Sequence, residues 1–224
     1  MRGAEKDLRT GLNALSLALD DPQVGQLLDY LELIAKWARV YNLTAVRDPA
    51  EMLTHHLLDS LAVIAPLQRY LKKAGLAQTD LGRGARLLDV GSGAGLPGVV
   101  IAICCPAVAV TCVDTVAKKA AFIKQVALAL KLPNLTGMHT RVEAMSQPFD
   151  VICSRAFASL VDFTQWSVGV LAPTGVWLAM KGKHPAEEIA ALPATVTVFH
   201  VEQLVVPGLD AERCIVWMRP TVAA

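Results

Sequence analysis

Aromatic residues are scarce, at 5% of 224, and charged residues stop at 18%. A core with so few rings relies on Ala, Val, Leu and Ile. With 54% apolar residues, the chain is no disordered tail. Charge of one sign is also lacking. The 21 basic and 20 acidic residues leave +1, short of the excess usual in a free-standing polyanion binder. No C-x-x-C pair occurs among Cys104, Cys105, Cys112, Cys153 and Cys214, and their number is odd. That argues against a disulfide framework and predicts buried thiols in a reducing cytoplasm. No apolar signal core follows Met1, where Arg2, Glu5, Lys6 and Asp7 stand instead. One uncharged run, Val90 to Val113, has the 24 residues a bilayer span needs, but Gly91, Gly93, Gly95, Pro97, Gly98 and Pro106 interrupt it. It reads as strand, glycine turn, helix and second strand.

What is present is ordered along the chain. Val24, Leu27, Leu28, Leu31, Ile34 and Trp37 recur at three- and four-residue spacing and predict a helix over 24–40. Asp48-Pro49-Ala50-Glu51 is a strong helix start, and that helix is expected to run to about Ala65, ahead of Pro66. Residues 72–86 are polar, basic and glycine-containing and read as a linker. Beyond it strands and helices alternate. Strands are expected at 87–90, 108–113, 135–139, 149–153 and 175–180, and helices at 98–105, 118–130 and 158–171. A closing pair of β-rich runs, 195–203 and 213–219, forms a hairpin on the sheet edge. This is an α/β chain with a doubly wound, mostly parallel sheet, whose ligand belongs at the carboxyl ends of the strands. The stretch 81–155 holds eight basic and four acidic residues, which points to an anionic partner.

The clearest motif is Asp89-Val90-Gly91-Ser92-Gly93-Ala94-Gly95-Leu96-Pro97-Gly98, between a strand and a helix. Asp114 ends the next strand, where a carboxylate can accept both hydroxyls of a ribose. Two cofactors compete. Residues 93–98 match the dinucleotide fingerprint G-x-G-x-x-G, which makes a nicotinamide-dependent oxidoreductase the alternative reading. A pyrophosphate at the helix start, however, meets a proline that removes one donor. S-adenosylmethionine carries no phosphate and needs a tight glycine loop, a ribose acid and contacts to adenine. The acid before the first glycine, Arg141-Val142-Glu143-Ala144 between the third and fourth strands, and the terminal hairpin all favour it.

In order along the chain stand Asn42-Leu43-Thr44-Ala45-Val46-Arg47-Asp48, His56-x-x-Asp59-Ser60, the glycine loop, Ser154-Arg155-Ala156-Phe157-Ala158 and Lys181-Gly182. Together they resemble the bacterial small-subunit (16S) ribosomal RNA guanine-N7 methyltransferases, the glucose-inhibited division protein B family, over roughly residues 24–218. The resemblance implies a Rossmann-like class I methyltransferase domain at 87–224, a helical extension at 1–71 and the linker at 72–86. It implies S-adenosylmethionine as donor and 16S RNA or the small ribosomal subunit as partner, with no membrane and no metal. Carried over by motif, Gly91, Gly93 and Leu96 belong to the cofactor loop, Asp114 is the ribose acid, Val142 and Glu143 flank adenine, and Arg155 is the site arginine. His56, Asp59 and Lys181 are candidates on the substrate side. The chain departs from the family pattern at His55, where Arg or Lys often stands, and in a longer 72–86 linker.

Guanine N7 offers an in-plane lone pair, so methylation there requires no prior proton removal, and positioning and electrostatics suffice. Accordingly no Asn/Asp-Pro-Pro-Tyr motif is present, and no catalytic residue is singled out. Cys153 lacks the Pro-Cys context of a cytosine-C5 nucleophile and reads as a buried strand residue. His55 and Asp59 lie one turn apart without further ligands, against a metal site. Lys118, Lys119 and Lys124 form a basic helix face, and the four tryptophans read as core. A non-catalytic RNA-binding or ribosome-assembly protein is the remaining alternative, and the intact loop and Asp114 argue against it.

Overall fold

The structure, a computed structural model, describes residues 2–41, 46, 48–77 and 84–221. Their strands are β1 (Arg86–Val90), β2 (Ala109–Asp114), β3 (Leu135–His139), β4 (Phe149–Arg155), β5 (Leu171–Lys181), β6 (Val196–Leu204) and β7 (Arg213–Pro220). They form one sheet in the order β3-β2-β1-β4-β5-β7-β6. The first five strands run parallel, and β7 is antiparallel to both neighbours. The order reverses between β1 and β4, which opens a crevice at their carboxyl ends.

Both faces of the sheet are buried, as the near-continuous apolar strands require. Leu87, Val151, Leu178, Ile215 and Trp217 face the same core as α1 (Arg2–Ala14), α2 (Asp21–Tyr41), α6 (Gly98–Cys104) and α7 (Ala117–Ala129). Leu88, Ile152, Trp177, Val216 and Met218 face the other, under α8 (Leu160–Ser167). The amino-terminal helices share the first core with the sheet, so extension and sheet pack as one body. The periodic face of α2 buries Val24, Leu27, Tyr30, Leu31 and Ile34. Its Gln23 and Gln26 donate to the carbonyls of Ile103 and Leu130, which close α6 and follow α7.

Several expectations are corrected. The helix predicted from Pro49 to Ala65 is α3 (Pro49–Met52), a π-helical turn (Leu53–Leu58) and α4 (Asp59–Leu61); α5 (Ile64–Lys73) follows. Pro66 therefore does not end a helix. It stands in the first turn of α5, where its missing N–H breaks no bond. Asp48 does cap, accepting from Glu51 N. Both ends of the expected linker are taken up, Lys72 and Lys73 by α5 and Arg86 by β1, while 78–83 lie outside the described residues. The helix expected over 158–171 ends at Ser167, and Leu171 already belongs to β5. Gly175 lies within that strand, beside a register shift against β4. Three helices had no forecast of their own, α1, α5 and α9 (Ala186–Ala190). The hairpin forms, but its second strand takes the inner place. Cys214 to Met218 are all buried, whereas most of β6 is half-exposed, so β7 inserts beside β5 and β6 becomes the edge.

The loop after β1 is held from below. Gly98, opening α6, donates its N–H to Asp89 Oδ2 at 2.8 Å, and Tyr30 donates its hydroxyl to Ala94 O at 2.6 Å. A Cβ on Gly98 would lie 2.4 Å from Cys112 Sγ and 2.8 Å from Asp89 Oδ2. Gly98→Ala should therefore cost about 1–3 kcal/mol of stability through overpacking. Urea unfolding measures it, and an unchanged midpoint would show that the core yields there.

Candidate functional site

Two adjoining cavities lie at the carboxyl ends of the parallel strands, and Gly91, Lys119 and Ala156 border both. The first, about 380 Å³, lies over β1, β2 and β4. Asp114 closes β2 on its floor. Asp114 Oδ2 accepts from Gly93 N at 3.0 Å and Oδ1 from Val116 N at 2.8 Å, and Lys119 Nζ stands 3.6 Å from Oδ2. Each carboxylate oxygen has a further lone pair for a ligand hydroxyl. Val142 and Glu143, in the 3₁₀ turn after β3, line the opposite side, Glu143 beside Arg141 at 3.6 Å. Phe157 and Trp166 complete the wall.

Gly91 (φ +65°) and Gly93 (φ +59°) take left-handed conformations that let the loop turn under this cavity. Asp89 lies beneath the loop, fully buried, with Oδ2 on Gly98 N and the Cys153 thiol beside it. Burial lifts its carboxyl to about 7, and the Gly98 N–H and the charge of Arg155 pull the other way. The N–H that opens α6 is thus already taken by an acid. A pyrophosphate placed there would meet a carboxylate instead of an open helix start, against the dinucleotide alternative.

The second cavity, about 580 Å³, is lined by His55, His56, Asp59, Leu96, Arg155, Lys181 and Arg213, together with Gly93 of the loop. Its centre is Asp59. Arg155 Nη1 donates to Asp59 Oδ2 at 2.7 Å and to His55 O at 2.8 Å, and Arg213 Nε donates to Asp59 Oδ1 at 2.8 Å. Helical extension, β4 and β7 meet at this one carboxylate. His56 is depressed to about 4, first by burial and then by the charge of Arg155, and stands neutral near pH 7.

The structure brings together most residues the motifs singled out. Gly91, Asp114, Val142 and Glu143 line the first cavity, and Gly93, Leu96, Arg155, His56, Asp59 and Lys181 the second. Lys181 is heavily engaged. Its Nζ donates to Ala158 O at 3.0 Å and to Glu188 Oε2 at 2.7 Å, so it braces α9 and the β4–α8 loop. Cys153 is fully buried with its thiol pushed up by burial, in keeping with a strand residue. Trp166 departs from the core reading and lines the first cavity. Asn42 to Ala45 and Arg47 lie outside the described residues. Arg213 and Glu188 were missed, and Phe157 was marked only as part of a motif, without a role. The first two carry no motif, and Arg213 reaches Asp59 only because β7 inserts beside β5; Phe157 lies inside the S-R-A-F-A motif, the one signal that marked its neighbourhood.

Sheet order, glycine loop, strand-end acid and double cavity define a class I S-adenosylmethionine-dependent methyltransferase. Solved structures agree on the fold. TrmN from Thermus thermophilus superposes with a TM-score of 0.55 at 19% identity, over 75% of this chain and 53% of that one. A SAM-dependent methyltransferase from Aquifex aeolicus gives 0.51 at 17%, over 76% and 98%. The family model described as rRNA small subunit methyltransferase G, GidB, matches residues 23–216, and the chain belongs to that family. Relatives named ribosomal RNA small subunit methyltransferase G include one from Polaromonas sp. (strain JS666), 75% identical over 100% of this chain and 97% of the relative. Another, from Polaromonas naphthalenivorans, is 70% identical over 98% and 99%.

Two predictions follow from the buried acids. Asp89 titrates near 7 when folded and near 3.8 when unfolded, so between about pH 4 and 7 the folded state binds more protons. Its contribution is present below 4 and is lost as pH rises through 7. Asp89→Asn does not titrate, so its melting temperature relative to the parent should climb from pH 5 to pH 8; parallel curves would refute the raised carboxyl. Asp59→Ala leaves two half-buried guanidinium groups facing each other and should cost about 2–4 kcal/mol in urea unfolding. A loss below about 0.5 kcal/mol would mean that solvent screens the pair.

Proposed function

We propose that this chain transfers the methyl group of S-adenosylmethionine to N7 of a guanine in 16S ribosomal RNA, on the RNA or the small subunit, in the cytoplasm. The observation that carries this reading is the pairing of a nucleoside-sized cavity over Asp114 with an arginine-lined cavity, across Gly91 and Ala156. In this reading residues 1–71 are a helical extension that closes the second cavity and residues 87–224 the methyltransferase domain.

The residues fit the cofactor. The glycine loop, with Gly91, Gly93 and Leu96, provides a cradle without side chains at the close approach. Asp114 takes the ribose hydroxyls while Gly93, Val116 and Lys119 hold its orientation. Val142 and Glu143 flank the adenine. The bound cofactor supplies an electrophilic methyl on a sulfonium. The second cavity then has to hold guanine with N7 in line, and Arg155, fixed by Asp59, orients it. His56 and Asp59 line the base side, and Lys181 supports that wall through Glu188. N7 is a free nucleophile, so no general base is required. A neutral His56 and a carboxylate occupied by two arginines suit a site that positions rather than deprotonates.

The test is transfer of labelled methyl to small subunits lacking the modification, with cleavage mapping of 7-methylguanine. One mapped guanine is the expected result, and label on another base overturns the N7 assignment. Asp114→Ala should weaken S-adenosylhomocysteine binding at least about tenfold in a folded protein. Unchanged affinity would remove its ribose role. Arg155→Ala should abolish transfer, and normal turnover would leave Arg155 as a structural ion-pair partner.

A further inference from the structure

We propose that Phe157, backed by Trp166, is a cofactor-contacting residue that walls the junction between the two cavities and positions the S-adenosyl ligand against the glycine loop. The inference rests on the cofactor reading above and assigns a contact to a motif residue that this reading leaves without a role.

Four observations carry it. Arg155 ends β4, and the next residue, Ala156, adopts φ +51°, a left-handed conformation that costs a side chain strain. That turn brings Phe157 back toward the loop. A Cβ placed on Gly91 would lie 2.0 Å from Phe157 Cδ2 and 2.6 Å from Cε2, so the ring packs directly on the face of the glycine. Gly91 and Ala156 border both cavities, which puts the ring where the two meet. Phe157 and Trp166 are 36% and 38% exposed, with ring centroids 5.9 Å apart and an interplanar angle of 74°.

Two exposed rings in contact beside a cavity form an apolar patch at its wall, the kind of surface that lines a ligand groove. The chain has only 5% aromatics, and its other tryptophans are buried or half-buried. The surface these rings offer is apolar, and it shares a cavity with Asp114, Val142 and Glu143. A purine nucleoside has the matching chemistry, with a flat face for the rings and hydroxyls for the acid. An edge-to-face pair also holds Phe157 by its neighbour, so the wall is set before the ligand arrives.

The experiment uses the full chain and S-adenosylhomocysteine as probe, with affinity from calorimetry and Trp166 emission as a second readout. Phe157→Ala should weaken binding about tenfold, while Phe157→Tyr stays within about twofold of the parent. In turnover with small subunits, Phe157→Ala should raise KM for S-adenosylmethionine with a much smaller change in kcat. Titration of the parent should shift tryptophan emission, and Trp166→Phe should remove that shift while the chain still binds. Should Phe157→Ala fail to fold, Phe157→Leu keeps the apolar bulk without the ring and should fall between the parent and the expected tenfold loss. Folded Phe157→Ala or Phe157→Leu binding as tightly as the parent, or a loss that Phe157→Tyr fails to restore, would overturn the contact. A parent chain that does not bind S-adenosylhomocysteine would instead overturn the cofactor reading on which the contact rests.

Discussion

The arrangement of the cleft depends on one carboxylate. Asp59, the buried first residue of α4, receives Arg155 from β4 and Arg213 from β7. Because β4 and β7 are separated by β5 in the sheet, Asp59 is the group that ties their two arginines together. Charges so far out of water are costly alone, and the geometry persists because each hydrogen bond offsets desolvation on both sides. Arg155 adds a bond to the His55 carbonyl, one turn earlier in the same segment. The π-helical turn at Leu53–Leu58 shifts the helical phase immediately before Asp59, and so sets which face the carboxylate occupies. Orientation of the extension, the ends of two strands and the electrostatics of the second cavity are therefore one problem with one solution.

A second pair of acids divides the labour at the loop. Asp89, one residue before the end of β1, and Asp114, the last residue of β2, lie on neighbouring parallel strands. Asp89 is turned down into the core and serves the helix start, where a carboxylate complements the unpaired N–H groups. Asp114 faces the cavity and is held in place by Gly93, Val116 and Lys119. Because the loop's own acid fills the helix start, the site has no place there for a phosphate. What remains is glycine backbone for close approach and a hydroxyl acceptor, the complement of an uncharged-backbone nucleoside ligand rather than of a dinucleotide.

Much of this was legible in the sequence, for physical reasons. Strands buried on both faces are written as near-continuous apolar runs, so β1 and β2 fell within a residue of expectation, and the glycine loop marked the turn between sheet and helix. The terminal hairpin was visible too, but its strand order follows from burial on two faces in β7 and one in β6, a comparison that periodicity alone does not make. The failures share a cause. Pro66 reads as a stop, yet its effect depends on which turn it occupies. Arg213 meets Asp59 across 154 positions of chain, and Glu188 meets Lys181 from a short helix without an amphipathic pattern. Such contacts are made by topology, which local pattern does not encode. Phe157 is a further kind of omission, since its importance comes from a left-handed Ala156 that no propensity predicts.

Net charge also takes on meaning only in the fold. A chain at +1 has little long-range attraction for a polyanion, and at physiological salt exposed charges act over about 8 Å. The structure concentrates cations where they matter for the proposed reaction. Arg155, Arg213, Lys119 and Lys181 all border the second cavity. Asp59 neutralises only one of the two arginines it holds, and Lys181 is balanced by Glu188 outside the cavity. Lys119 stands beside Asp114, so the mouth keeps one positive charge in excess. At such a site the attraction for an anionic partner is felt only once that partner is within a few ångströms of the cleft. Neutral His56 fits the same logic. A protonated imidazole beside Arg155 would add repulsion to the positive charge that N7 methylation places on guanine, and burial keeps that proton off across the physiological range.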